Sequence, residues 1–473
     1  MATERTSLLN GNGNGNGNDE SLPERQTSHA YHIPNSHPRL SLDASPARRT
    51  RSLSPLYNSA LSTCKHDVRL IDTTSPTSPI SRGSQDDIAG PTPTLVESFK
   101  ALFLGGWINV LLIAVPLSFA SHFLGWGSTA DFIISFIAII PLAALLGDAT
   151  EQCALKVGQT VGGLLNATFG NAVELIVGIL ALVRGELRIV QTSLLGSILS
   201  NLLLVLGCSF IAGGIKFKEQ KFQMTAAQAS SSLMVLGCST LIIPAAFHAS
   251  QLDGSLKKDH GTVLTVLDEF SSKSKDLAQL LTLSRGTAIV LLVCYACYLY
   301  FQLCSHAYLF EEEQAQEEEE AKMSITAAVV ALLGVTVVTS FCADYLVGAI
   351  DEFASDYNIP KAWIGLIALP IVGNAAEHVT SVWMAAKGKM EITIGVAVGS
   401  SIQIAVGVIP ALVVAGWIIN QDLSLFFGNF ETITLFVSVL LVDILISDGI
   451  SHWLEGVMLV ALYSIIALAF WVA

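Results

Sequence analysis

Long apolar runs separated by short polar segments fill the chain from about residue 100 to its end. Several runs reach the roughly 20 residues that a helix needs to cross a bilayer core of about 30 Å. Because a helix satisfies its own backbone polar groups in lipid, the pattern predicts an all-α polytopic membrane protein. Its eleven transmembrane helices are predicted at residues 103–120, 131–147, 160–183, 190–214, 226–247, 285–306, 324–349, 361–385, 392–417, 425–446 and 454–472.

Composition agrees with a membrane protein. Hydrophobic residues make up 52% of the chain and charged residues only 14%, which is outside the usual range of soluble globular proteins. The formal net charge is −14, whereas nucleic-acid binding needs clustered lysine and arginine. We therefore expect membrane lipid, and no nucleic acid, among the partners.

The N-terminal segment has a different composition. It is rich in Ser, Thr, Pro and Gly-Asn repeats and poor in large apolar residues, which predicts a disordered tail over 1–95. Arginines beside Ser52 and Ser54 indicate a kinase substrate or a contact with anionic lipid. A solvated tail with neither role is an equal alternative. The rest of the chain divides into 96–306 (the first transmembrane helix and repeat 1), 307–323 (an acidic linker helix) and 324–473 (repeat 2).

Charge placement predicts the orientation. The basic residues of the tail precede the first span, which places the N-terminus in the cytosol by the positive-inside rule. In this orientation Lys216, Lys218 and Lys387 fall on the cytosolic side, as the rule expects. Arg184 and Arg188 fall on the opposite side and disagree with it, as do Lys257 and Lys258 in a longer loop. The prediction of a cytosolic N-terminus therefore rests on the tail and on the lysines of the short loops.

Two short segments, 203 residues apart, are nearly identical. Gly-Asn-Ala-Val-Glu occupies 170–174 and Gly-Asn-Ala-Ala-Glu occupies 373–377, so the chain contains a duplicated unit. The last residue of each segment, Glu174 or Glu377, lies within an apolar stretch. An ionised side chain is costly there and is a functional-site hypothesis by default.

The two copies run in opposite directions across the membrane. The glutamates lie in the third and the eighth predicted spans, five crossings apart. This parity predicts two inverted five-helix repeats, made of spans two to six and spans seven to eleven, with span one added in front. Inverted repeats are typical of secondary transporters that alternate access about a site near the midplane.

The residues around each glutamate predict a cation site. Glycine and asparagine weaken a helix and free its carbonyl oxygens, and carbonyl and carboxylate oxygens are the ligands that Ca²⁺ prefers. Mn²⁺ accepts similar oxygens, and no Cys or His cluster of the zinc type accompanies the motifs. The predicted metal ligands are Glu174, Asn171 and Ala172 in repeat 1 and Glu377, Asn374 and Ala375 in repeat 2, with Gly170 and Gly373 lining the site.

Spans four and nine carry a second pair of related segments. Gly-Ser-Ile-Leu-Ser-Asn at 196–201 corresponds to Gly-Ser-Ser-Ile-Gln at 399–403. Small and polar residues at this spacing allow close helix packing and offer hydroxyl or amide oxygens. Hydrogen bonding between helices without ion contact is an equal alternative. The predicted site-lining residues are Ser200, Asn201, Ser401 and Gln403.

The same carboxyl groups provide a route to exchange. A carboxyl group removed from water favours its protonated form, whereas a divalent cation beside it favours the ionised form. Protons and metal then compete for the same oxygens. One pH unit is worth about 1.36 kcal/mol per proton, so two protons across two pH units would sustain an ion gradient of roughly 10⁴.

At these residues the chain resembles the calcium/cation antiporter superfamily, and within it the vacuolar cation/proton exchangers of fungi and plants. The resemblance covers about 96–473, and the Glu-His pair at 377–378 resembles the proton-coupled branch. It implies transport of Ca²⁺ and H⁺ without a cofactor, ion and proton binding at Glu174 and Glu377, and a vacuolar membrane. It also places an acidic helix at the Glu-rich run, whose members are Glu311, Glu312, Glu313, Glu317, Glu318, Glu319 and Glu320.

Two further features have open alternatives. His378 could titrate near neutral pH and take part in proton coupling, or it could be a packed neighbour turned off the site's face. The acidic run could concentrate cations at the cytosolic mouth or regulate transport, or it could be a solvated linker.

The leading hypothesis is an antiporter that moves Ca²⁺, with Mn²⁺ as a further candidate cargo, from the cytosol into an acidic organelle in exchange for H⁺. A sodium-driven calcium exchanger and a cation channel are the alternatives. An intramembrane metalloprotease would need His-Glu-x-x-His spacing, which the sequence lacks. We therefore expect no enzymatic activity.

Overall fold

A computed structural model describes residues 94–256, 265–309 and 322–472. The predictions for the N-terminal tail up to residue 93 and for the acidic run at 311–320 lie outside the described residues. The last two residues assigned to the tail begin an ordered element instead. Thr94 caps the helix Leu95–Leu104 through a capping box with Glu97, which satisfies backbone N–H groups at the helix start.

Span 1 comes first in the chain, and the helices of repeat 1 follow it. They occur in this order: Trp107–Ile113 (3₁₀) and Ala114–Leu124 as span 1, Ser128–Val157 as span 2, Gln159–Phe169 with Ala172–Val183 as span 3, Leu187–Leu199, Ser200–Val205 (π) and Leu206–Lys216 as span 4, the strand Gln220–Lys221, Met224–Leu256 containing span 5, Thr265–Tyr300 and Phe301–Ser305 (π) containing span 6, and the 3₁₀ turn Ala307–Leu309.

Repeat 2 has the same order of spans, but its strand precedes its last span, whereas the strand of repeat 1 precedes span 5. It consists of Ile325–Asp356 as span 7, Lys361–Trp363, Ile364–Ala368 (π) and Leu369–Gly373 with Ala375–Ala386 as span 8, Met390–Ile402, Gln403–Val408 (π) and Ile409–Ile418 as span 9, Asn429–Ile446 as span 10, the strand Ile450–Ser451, and Trp453–Val472 as span 11.

These elements confirm the predicted fold class. In the described part of the chain, nine helices are long and apolar enough to cross a membrane, and two bent pairs bring the number to eleven. Every predicted span overlaps one of them, with boundaries that shift by several residues. We call the face at which span 1 begins the near face and the opposite face the far face. Even-numbered connections lie on the near face.

Spans 3 and 8 are broken where the sequence predicts weak helix. Span 3 bends by 45° between Phe169 and Ala172, and span 8 bends by 58° at Asn374. In span 3 the Leu175 N–H donates to the Asn171 carbonyl, while no described backbone N–H donates to the carbonyl of Gly170. Each break therefore leaves backbone polar groups unpaired inside the protein, as expected only beside a polar cavity or site.

Spans 4 and 9 form the centre of the molecule. Within their most apolar windows, 83% of span 4 and 61% of span 9 are buried, against 17% of span 6. The long helices of spans 2 and 7 pack against each other, where the rings of Phe132 and Phe353 stack 4.0 Å apart, and against the broken spans 3 and 8. The broken helices are thus enclosed by the central spans of the two repeats.

The repeats are not packed symmetrically. A Cβ atom added to Gly196 in span 4 would lie 2.2 Å from the carbonyl oxygen of Leu366 in span 8. Its counterpart Gly399 in span 9 has open space at the same position. Span 8 therefore lies directly on span 4, whereas span 3 does not approach span 9 in the same way.

This asymmetry predicts unequal effects of two equivalent substitutions. Gly196→Ala should destabilise the protein by about 1–3 kcal/mol, the usual cost of overpacking, because the backbone of span 8 cannot move aside freely. Gly399→Ala should be neutral or mildly stabilising, because alanine favours helix over glycine. Thermal unfolding midpoints of the purified proteins in detergent measure the difference. Equal midpoints would contradict the described packing.

Candidate cation site

Glu174 and Glu377 occupy equivalent positions at the two breaks. Each lies in the first turn of the half-helix that follows its break, Ala172–Val183 or Ala375–Ala386. A negative charge is favoured in the first turn, where backbone N–H groups lack intrahelical partners. The two carboxyl groups lie close enough to repel each other when both are charged. Such a pair is suited to a divalent cation.

Glu174 is enclosed between the repeats. Its side chain is buried, and a Cβ atom built on Gly373 would lie 3.0 Å from its Oε1 atom. The Ser197 side chain lies against the same carboxyl group. The cavity beside it measures only about 20 Å³ and is lined on the far side by apolar residues such as Leu346 and Leu369. Glu174 is therefore shut off from the far face.

Glu377 faces a larger space. It lines a cavity of about 420 Å³ together with Asn109, Asn166, Asp148 and Glu151. A second cavity of about 580 Å³ shares Asp148 and Glu151 and continues to residues at the near-face ends of spans 7 and 8. The two cavities give Glu377 a polar route to the near face. The two acids of this route are functional candidates, and neither is among the site residues predicted from the sequence.

A chain of hydrogen bonds joins the repeats behind the glutamates. The Asn171 amide donates to Gln403 Oε1 at 2.6 Å and accepts from the Ser400 hydroxyl at 2.8 Å. The Asn201 amide in turn donates to Ser400 Oγ at 2.9 Å. Spans 3, 4 and 9 are thereby fixed to one another. Gln403 and Asn201 join the motif through this network, in which Gln403 and Asn171 use their polar atoms.

The two motif asparagines are not equivalent. The Asn171 amide oxygen is occupied by Ser400, whereas the Asn374 amide donates to the Ser197 carbonyl at 3.2 Å and leaves Oδ1 without a hydrogen bond. Of the two predicted asparagine ligands, only Asn374 therefore offers a free side-chain oxygen. Both backbone carbonyls accept hydrogen bonds from the following helix, from Leu175 and His378.

The two motif alanines lie at the starts of the half-helices. Ala172 and Ala375 are the first residues of their half-helices, and at a helix start the unpaired groups are N–H groups, not carbonyls. Among the described residues, no backbone N–H donates to the carbonyl of Gly170, which lies outside both half-helices of span 3. The break in span 3 therefore frees the Gly170 carbonyl oxygen, and ligation by Ala172 and Ala375 stays a prediction.

Two predicted lining residues lie elsewhere. The Ser401 hydroxyl donates to the Ala397 carbonyl of its own helix at 2.8 Å, and the Ser200 hydroxyl faces Tyr463 in span 11. Ser400 takes the place expected for Ser401. The duplication could have shown this, because Ser400 matches Ser197 at the repeat offset, whereas Ser401 matches an isoleucine.

His378 is turned away from the space beside Glu377. In the described structure, that cavity is lined by Ala376, Glu377, Val379 and Thr380, and His378 is absent from both cavities that contain a motif glutamate. Adjacent helical residues point about 100° apart, which explains the difference. The geometry supports the packed alternative for His378.

Unpaired oxygens are concentrated at this site. Among the described residues, Glu174 Oε1, Glu377 Oε2, Asn374 Oδ1 and Asn201 Oδ1 are buried without a hydrogen-bond partner. Buried polar atoms are normally satisfied, and an oxygen-only donor set suits a hard cation. A cation here would be held by these two carboxylates and by the neutral amide oxygens.

Comparison with known proteins gives the same assignment. The chain matches the family described as "Sodium/calcium exchanger protein" over residues 127–304 and 327–472. It is 46% identical over 378 residues to the vacuolar calcium ion transporter of Schizosaccharomyces pombe, which covers 80% of this chain and 87% of that protein. It is 41% identical over 379 residues to the Ca²⁺/H⁺ antiporter of a Synechocystis species, covering 76% of this chain and 96% of that protein.

A solved structure shares the fold. The crystal structure of the Ca²⁺/H⁺ antiporter protein YfkE superposes with a TM-score of 0.63 at 34% sequence identity, covering 77% of this chain and 99% of that chain. The two regions that match the family contain both breaks and both glutamates. The chain described here belongs to the sodium/calcium exchanger protein family.

Proposed function

We propose that this protein is a secondary active antiporter that moves Ca²⁺ from the cytosol into an acidic organelle in exchange for H⁺. The two relatives above are named as a vacuolar calcium ion transporter and a Ca²⁺/H⁺ antiporter. The observation that carries the proposal is the pair Glu174 and Glu377. Each contributes a buried carboxylate oxygen without a protein partner, at the junction of a near-face cavity and a closed far side.

Exchange follows from competition at these carboxyl groups. Two ionised carboxylates that repel each other in an enclosed site are costly, and either a divalent cation or protons can neutralise them. The empty, fully charged site is therefore the least favourable state. Because the site opens to one face at a time, crossing is favoured only when Ca²⁺ or protons are bound, which couples the two fluxes.

The proposed direction of transport depends on orientation. The name of the Schizosaccharomyces pombe relative supports a vacuolar membrane. We place the near face in the cytosol, because Lys216, Lys218, Lys387 and Lys389 lie on that side. Ca²⁺ then enters through the cavity beside Glu377 and leaves to the lumen, where a high proton concentration displaces it.

The proposal assigns transport alone, with no enzymatic reaction and no bound cofactor. Mn²⁺ is a second proposed cargo, since it accepts the same oxygen ligands. A sodium-driven exchanger would carry Ca²⁺ at the same site but would respond to a sodium gradient. A channel would show flux without an opposing ion. Ca²⁺ uptake into sealed vesicles under separate pH and sodium gradients distinguishes the three mechanisms.

Neutralising either glutamate should abolish exchange. We expect Glu174→Gln and Glu377→Gln each to lower gradient-driven Ca²⁺ uptake by at least about 30-fold, because truncating one member of a buried charged set costs about 2–5 kcal/mol. Uptake is measured in vesicles with an acidic interior. Asp356→Asn is the matched control, since Asp356 is exposed at the end of span 7. Uptake that survives both glutamine variants, or that ignores the pH gradient, would refute the proposal.

The hydrogen-bond network predicts different roles for two adjacent serines. Ser400→Ala removes the bridge between Asn171 and Asn201 and leaves buried amide groups unpaired. We expect the KM for Ca²⁺ to rise about 5- to 100-fold, from a loss of about 1–3 kcal/mol. Ser401→Ala should change the KM less than about twofold, because its hydroxyl bonds only within its own helix. Similar effects of the two substitutions would contradict the assignment of Ser400.

A further inference from the structure

After the N-terminal tail the sequence contains three arginines, Arg184, Arg188 and Arg285. All three lie at the far face, where the positive-inside rule disfavours them. Arg184 ends span 3, Arg188 begins span 4 and Arg285 lies early in span 6. All three belong to repeat 1, and each pairs with a carboxylate of repeat 2. The cation site at the two motif glutamates does not account for these arginine pairs.

Arg184 makes the most complete of these pairs. Its guanidinium donates to Asp344 Oδ1 from Nε at 3.0 Å and from Nη2 at 2.6 Å, and Nη2 also donates to the Asp344 carbonyl at 3.2 Å. A Cβ atom on Gly348, one turn further along span 7, would lie 2.7 Å from Nη1. The glycine thus leaves the space in which the guanidinium lies against span 7.

Arg188 pairs with the most buried acid of the group. It forms an ion pair with Glu431 at the start of span 10, and the Glu431 side chain is only 7% exposed. A nearly buried carboxylate depends strongly on its counter-ion, because removing the partner leaves an uncompensated charge. This pair fixes the start of span 4 to the start of span 10.

The connection between spans 9 and 10 is held by repeat 1 at several points. Arg285 pairs with Asp422 at 3.5 Å, and the Ser284 hydroxyl accepts the Leu425 N–H at 3.0 Å. Gln191 in span 4 donates to the carbonyls of Ser424 and Phe426, at 3.0 Å each. The connection therefore crosses the far face and is held against repeat 1 by these four contacts.

Other contacts join the repeats at the near face. The strand Gln220–Lys221 pairs with Ile450–Ser451, the Gln220 amide donates to the Ala385 carbonyl at 3.0 Å, and His452 approaches Glu219 to 4.0 Å. The near face also carries the cavities that reach Glu377. The arginine–carboxylate pairs and the closed side of the site thus coincide.

We propose that Arg184, Arg188 and Arg285, with Asp344, Glu431 and Asp422, form a latch that holds the far face shut while the site is open to the near face. The inference rests on the proposed alternating access. Opening to the far face must separate the two repeats there, and these pairs must then break. The latch thereby sets the balance between the two states.

The expected effect of each pair is modest and measurable. A partly exposed ion pair usually contributes enough to change an equilibrium about two- to fivefold. Removing one pair should therefore raise the far-open population by that factor, and removing two should nearly multiply the factors, because separate contacts act independently. The buried Glu431 pair should give the largest change.

Thiol labelling measures this population directly. The full chain, with its eight cysteines replaced, carries either Ser193→Cys in the closed cavity beside Glu174 or Thr380→Cys in the near-face cavity. A membrane-impermeant thiol reagent is added to purified protein in detergent, where both faces are accessible. Arg184→Gln should speed labelling of the Ser193→Cys reporter two- to fivefold and Arg188→Gln at least about fivefold, and neither should speed that of Thr380→Cys.

Lys361→Gln is the matched control, because Lys361 and Asp351 form a 2.5 Å far-face pair within repeat 2. It should leave both labelling rates unchanged. The double exchange Arg188→Glu with Glu431→Arg should restore slow labelling at the Ser193→Cys reporter. Arginine variants that behave like Lys361→Gln, or that speed both reporters together through general loosening, would overturn the latch. Labelling requires neither Ca²⁺ nor a pH gradient, so the result is independent of the exchange assay.

Discussion

Two carboxylates enclosed between membrane helices are the constraint on which this structure depends. An ionised acid at the centre of a bilayer costs several kcal/mol, and Glu174 and Glu377 lie close enough to repel each other. The fold reduces the cost by placing each in the first turn of a half-helix. The negative charge that remains must be neutralised by a divalent cation or by protons. The same unfavourable charge that makes the site costly to build therefore makes it an exchanger.

The two inverted repeats have related sequences, but in this structure they are packed differently. Gly196 packs directly on span 8 while Gly399 has open space, and Glu377 faces a cavity while Glu174 is enclosed. Exchanging the two arrangements would open the far side and close the near side. The polar network through Asn171, Ser400 and Asn201 joins spans 3, 4 and 9 at the centre, so these helices should move as connected bodies.

The sequence predicted the architecture well, because membrane helices are specified by long apolar runs and the duplication specified their pairing. It also identified both breaks, because Gly-Asn weakens a helix within an apolar run. Finer placements depend on tertiary packing. Composition alone does not separate Ser400 from Ser401; the rotation of span 9 separates them, and the repeat offset that pairs Ser400 with Ser197 agrees with it. The arginine pairs could not be predicted, because each joins residues more than 130 positions apart.

Proton release on Ca²⁺ binding is the most direct test of the central claim. Calorimetric titration of the purified protein with Ca²⁺, in buffers of different ionisation enthalpy, gives the number of protons released per ion bound. Shared use of the two carboxyl groups predicts measurable release below neutral pH, decreasing as pH rises and falling in Glu174→Gln or Glu377→Gln wherever binding persists. Ca²⁺ binding without proton release across this pH range would contradict it.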